Sequence, residues 1–113
     1  DLAKLTQYGL TVSELKTALK TTAQPYKGST KVGHALSKHA GRPGGETIWG
    51  KTTGASETWH NQAMKHVREI VRGTGQFQSV TDSNTSISWI EKRLPDGRGI
   101  RLNLNHTFKG FVD

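Results

Sequence analysis

The chain contains no cysteine, which removes disulfides, thiolate metal sites and a cysteine nucleophile and leaves the redox compartment open. It has no apolar run near the roughly 20 residues that cross a bilayer, so no stable membrane association is expected. Carboxylates are scarce, nine in 113 residues, and they are dispersed. No His-Glu-x-x-His and no Gly-x4-Gly-Lys-Ser/Thr loop occurs, so neither a metal nor a nucleotide cofactor is expected. No serine stands in a Gly-flanked elbow between strand and helix, which argues against serine-type hydrolysis. The looser set of Asp82, Glu91 and Lys92 or Arg93 keeps a Mg²⁺-dependent, restriction-type nuclease as an alternative.

Positive charge is plentiful. Sixteen Lys and Arg against nine Asp and Glu give a formal net charge of +7 and a pI near 10, which directs the chain towards polyanions: nucleic acid, an anionic membrane face or an acidic protein. Its length suits one domain with a modest core. The start at Asp1 rather than Met is read as that of a soluble piece of a longer protein.

Local signals order the elements. Thr11 and Glu14 form a capping box, with Leu10 and Leu15 as a staple, for a helix from Val12 to Thr21. Pro25 to Ser29 breaks it. Thr30 caps a second helix through His39, closed by Gly41 and Pro43. Residues 42–55 read as a long ordered loop. A third helix, capped by Ser56, runs to Arg72 with Trp59, Ala63, Val67 and Ile70 on one stripe. Beyond Gly75 the period becomes extended: Gln76–Thr81, Ser86–Leu94, Ile100–Leu104 and Thr107–Val112 are expected strands with short links, hence antiparallel neighbours. Ile100, Leu102 and Leu104 would face the helices, with Arg101 and Asn103 on the other side. The expected architecture is α+β, N-terminal helices packed on a four-stranded antiparallel sheet.

The chemistry concentrates in two places. Gly33 to Arg42 carries His34, Lys38, His39 and Arg42 on the second helix and just after it. Val32, Leu36 and Ala40 share a face with His39 at its edge, while His34 and Lys38 lie on another. Metal-free RNA cleavage needs this mixture: a group that titrates near neutrality to move the 2′-hydroxyl proton, and cations that hold the phosphate as its charge grows. The terminal hairpin offers Arg98, Arg101, Asn103, Thr107 and Lys109 as a phosphate cradle, with Phe108 and Phe111 as surfaces for unpaired bases. His60 and His66 point in different directions on the third helix and read as structural; His106 sits in a turn.

Val32 to Arg42, Ile48-Trp49-Gly50-Lys51, Trp59 to Ile70, Arg93 to Gly99 and Thr107 to Phe111 together resemble the C-terminal toxin domains of bacterial contact-dependent growth inhibition and related polymorphic toxin proteins. The resemblance covers residues from about 31 to the end. It implies a ribonuclease of the barnase, EndoU, colicin and RelE group, metal-independent tRNA cleavage and neutralisation by a cognate immunity protein. It also implies secretion or cell-surface delivery within a larger protein and action in the cytoplasm of a neighbouring bacterium. From such a group, His34 or His39, Arg98 or Arg101, Thr107 and Lys109 carry over as catalytic, with Lys38, Arg42, Asn103 and Phe108 binding substrate. Residues 31–113 would then be the ribonuclease domain and residues 1–30 a helical uptake segment or substrate-binding arm. Its expected partners are tRNA and an acidic immunity protein, with a host factor in the target cell left open. In this reading one histidine takes the 2′-hydroxyl proton, the strand cations hold the transition state and Thr107 positions a phosphate oxygen. The rival of another class is a non-catalytic nucleic-acid-binding module whose cations only neutralise phosphates.

Overall fold

The computed structural model describes residues 6–113; Lys4 and the rest of the first five residues lie outside it. Helix α1 (Val12–Thr22) starts on the expected capping box: Thr11 Oγ1 accepts from the Glu14 amide at 3.1 Å, and Glu14 Oε1 accepts from the Thr11 amide at 2.8 Å. The break that follows is a small antiparallel hairpin, β1 (Pro25–Tyr26) and β2 (Ser29–Thr30). Its turn residues Lys27 and Gly28 both take positive φ, 45° and 79°, as a tight two-residue hairpin requires. Thr30 then caps α2 (Lys31–Ala40) through the Gly33 amide at 3.2 Å.

The expected loop over 42–55 contains a further helix, α3 (Gly45–Trp49). Five residues flanked by glycine carry little intrinsic helix stability, so burial of Trp49 in the core, not propensity, holds this turn together. Ser56 is not the cap of the next helix. Ser56–Thr58 form a 3₁₀ turn, the Ser56 hydroxyl donates to the Gly28 carbonyl, and α4 runs from Trp59 to Arg72 with Ala63, Val67 and Ile70 buried.

Strands β3 (Gln78–Thr81), β4 (Ser88–Arg93), β5 (Gly99–Leu102) and β6 (Phe108–Val112) form an antiparallel meander in chain order. The expected α+β class is the one observed. Helix α2 packs against α4 and β6, and α4 reaches β4 and β5. Val32, Leu36, Val67, Ile70, Ile100 and Leu102 meet in the core. Leu104 corrects the expected pattern: it is 57% exposed, because β5 stops at Leu102 after a bulge at Arg101/Leu102 and the chain turns back.

Lys92 departs from the expected metal grouping. It is fully buried, and its ammonium donates to the carbonyls of Val71 (2.6 Å) and Gly73 (2.9 Å) at the end of α4. There it satisfies carbonyls that a helix terminus leaves without partners and ties α4 to the sheet.

Candidate active site

A cleft of about 590 Å³ opens between α2 and the edge strand β6. Lys31, His34, Lys38, His39 and Arg42 line it from the helical side, and Arg101, Asn103, Lys109 and Asp113 from the sheet; Tyr26 of the small hairpin completes the wall. Five cations thus face one carboxylate, a balance that concentrates a polyanion. Of the residues expected at a site, His34, His39, Lys38, Arg42, Arg101, Asn103, Lys109 and Phe108 meet here.

His39 is buried at 7% exposure, its ring packed near Trp49 (5.7 Å between centroids) and Phe111 (6.3 Å). Its Nδ1 lies 3.3 Å from Asp113 Oδ2 and 3.5 Å from Arg42 Nη1. The shorter contact pairs a ring N–H with a carboxylate, so we assign the Nδ1 proton to the bond with Asp113, which leaves Nε2 as the proton acceptor. Burial pushes the imidazole below the usual 6.5; Arg42 and Lys38 push the same way, and Asp113 pulls back. The ring is therefore neutral at pH 7. Asp113 is fixed in turn by Trp49, whose Nε1 donates to Oδ2 at 2.7 Å. Burial alone would raise the Asp113 carboxyl, but the bonds from Trp49 and His39 outweigh it and keep it ionised.

His34 stacks on Tyr26, with centroids 4.8 Å apart and planes inclined by 22°. Sequence reasoning missed Tyr26, which only the Lys27-Gly28 turn carries over α2. It missed Asp113 as well, since no local signal links positions 74 apart.

Three expected residues are used differently. Phe108 is 4% exposed, its ring T-shaped against Phe111, so neither ring offers a face for a base. The Thr107 hydroxyl accepts from Asn103 Nδ2 at 2.9 Å and donates to Asn105 Oδ1 at 2.6 Å, which braces Asn103. Arg98 does not line the cleft: it bonds Glu69, Asp96 and the His66 ring. Burial and the adjoining Arg98 charge lower the His66 imidazole. The remaining histidines serve elsewhere, His60 on Thr30 (2.7 Å) and His106 on Glu14 (3.1 Å).

The restriction-type set does not converge. Asp82 shapes the β3–β4 turn through Asn84 and Thr85, Glu91 is engaged by Trp89 and two arginines, and Lys92 points to the opposite side of the sheet from Glu91. Among the described residues, no group of three His, Asp or Glu is placed to hold a metal ion, and no helix is long and apolar enough to cross a membrane.

The family model described as the CdiA C-terminal tRNase toxin domain matches residues 19–113. A solved structure of the toxic C-terminal tip of CdiA from Pseudomonas aeruginosa, in complex with immune protein, is 56% identical with a TM-score of 0.77, over 83% of this chain and 99% of that one. No curated protein matches the chain.

Proposed function

The chain belongs to the family of CdiA C-terminal tRNase toxin domains, and on that premise we propose that it cuts tRNA by metal-independent transesterification in the cleft between α2 and β6. The observation that carries this reading is the meeting of two imidazoles with Lys38, Arg42, Arg101 and Lys109 in one cleft. Neutral His39 takes the 2′-hydroxyl proton on Nε2. The 2′-oxygen attacks phosphorus, the bond to the 5′-oxygen breaks, and His34 supplies the proton that the leaving oxygen needs. Arg42, Arg101 and Lys109 stabilise the charge that grows on the phosphate oxygens, and Asn103, braced by Thr107, orients one of them. Arg98, already neutralised, takes no part.

Incubation with total tRNA in EDTA tests the chemistry. Cleavage leaving a 2′,3′-cyclic phosphate and a 5′-hydroxyl is the expected result. Cleavage only after Mg²⁺ is added would return the restriction-type reading, and binding without cleavage would leave a nucleic-acid-binding module.

The similar CdiA tip is in complex with immune protein, and we extend that partnership to this chain. The domain is delivered within a larger surface protein and acts in the target cytoplasm, so its producer needs an inhibitor. Carboxylates are the complement of this cleft. An acidic immunity protein covering Arg101 and Lys109 should associate rapidly, more slowly as salt rises, and in competition with tRNA. Lys109→Glu is expected to slow association more than Lys16→Glu in stopped-flow mixing; equal effects would place the partner elsewhere.

A further inference from the structure

Arg98 and Arg101 lie close in sequence and differ in what is left of them for a ligand. Arg98 is spent: Nη1 bonds Glu69 and His66, Nε and Nη2 bond Asp96, and its side chain is 12% exposed. Arg101 is held at one end only. Its Nε donates to Glu91 Oε1 at 2.7 Å, and its guanidinium lies over the Trp89 ring at 4.6 Å. The terminal nitrogens Nη1 and Nη2 have no partner among the described residues. Across the ladder Arg101 faces Gly110, where a Cβ would meet nothing within 4 Å, so the fork opens into the cleft it lines.

Glu91 is fully engaged in this arrangement. Oε1 also accepts from Trp89 Nε1 at 2.9 Å, and Oε2 accepts from Arg93 Nε at 2.6 Å. Burial would raise its carboxyl, but the bonds from Arg93, Trp89 and Arg101 hold it below the ordinary range, so it stays an anion and is ill-suited as a proton acceptor. By charge alone, a carboxylate beside an RNA cleft repels substrate. Its placement makes sense as orientation: one hydrogen bond fixes the near end of the guanidinium, the indole fixes its plane, and the two free N–H edges match two phosphate oxygens.

We propose that Glu91 and Trp89 are positioning residues that pre-orient Arg101, making its terminal nitrogens a bidentate receptor for the non-bridging oxygens of the scissile phosphate. The proposal rests on the cleft being the tRNA-cleaving site. A donor fixed before the reaction needs no reorganisation as charge develops, so its benefit falls on the transition state more than on substrate binding.

That distinction gives the test. Single-turnover and steady-state cleavage of tRNA are measured for Glu91→Gln, Trp89→Leu, Trp89→Phe and Arg101→Ala, and for the first two combined with Arg101→Ala, with folding followed by circular dichroism. Glu91→Gln should lower kcat by roughly tenfold to a hundredfold while KM stays level or falls, because an anion near the substrate has gone. Trp89→Leu should act in the same direction and Trp89→Phe, which keeps a ring, should recover most of the rate. In the Arg101→Ala background neither substitution should cost more. If both still slow the reaction there, or if Glu91→Gln raises KM at constant kcat, the positioning role is overturned. Should Glu91→Gln fail to fold, the Trp89 pair alone decides. Wild-type kcat in Arg101→Ala would instead remove Arg101 from the cleavage chemistry, and with it the proposal; absence of cleavage by the wild-type chain would remove the reading of the cleft itself.

Discussion

Replacement of His39 by alanine is expected to lower the saturated rate of tRNA cleavage by roughly 10²-fold or more, the usual contribution of a positioned general base. The sequence alone leads to an expectation of almost unchanged stability for this variant. The structure revises that, because the ring is buried beside Trp49 and Phe111 and bonded to Asp113. A loss of about 1–3 kcal/mol should accompany the loss of rate, so His39→Gln, which refills part of the space, separates the two. A rate near wild type in either folded variant would remove His39 from the base role.

The pH dependence follows with a definite sign. A native His39 held below 6.5 stays neutral as pH falls past that value, so the acid limb of kcat/KM lies below 6.5. Asp113→Asn removes the group that pulls this imidazole upward, and the limb should move further down. Stability declines towards acid as well. His39 and His66 are both lowered in the fold, so below 6.5 the unfolded chain takes up protons first. Stability should therefore decline as pH falls from that point and level off once the native rings are also protonated. Denaturant melts across this range check it; stability that rises on acidification would contradict the burial of both rings.

Trp49→Ala should produce the largest loss of stability, about 3–5 kcal/mol for a buried aromatic. That is a large share of the roughly 5–15 kcal/mol that holds a domain of this size. Trp49 contacts His39, His66 and Phe111 and donates to Asp113, so its removal opens a cavity and frees the carboxylate that orients the base. Trp49→Phe keeps an aromatic ring in the site and a good part of the packing, but loses the N–H together with part of the indole's volume. Urea unfolding of both variants, with cleavage rates beside it, divides the two contributions. A cost under about 1 kcal/mol for Trp49→Ala would mean that α3 is not held by its tryptophan.

Short-range physics made much of this protein legible without coordinates. The Thr11/Glu14 capping box, the Thr30 cap and the Ala63, Val67, Ile70 stripe are interactions within one or two helical turns, and the helices formed where they lie. Alternation of Ile100, Arg101 and Leu102, with short links either side, was enough for the antiparallel order of the sheet. His34, Lys38, His39 and Arg42 could be grouped because one helix and the residue just past its end hold them within nine positions. What depended on the other side of each contact could not be read. Arg98 and Arg101 are three positions apart in the chain; the neighbouring Asp96 holds Nε and Nη2 of Arg98, and the approach of His66 and Glu69 from α4, 32 and 29 positions away, occupies its Nη1, whereas Arg101 is bonded through Nε alone. Phe108 lost its expected exposed face because α1 and α2 close over β6, with the Phe108 amide bonded to Thr21. The partner of His39 lies 74 positions away, and a carboxylate at that separation becomes part of a site only when the sheet edge and α2 are packed together.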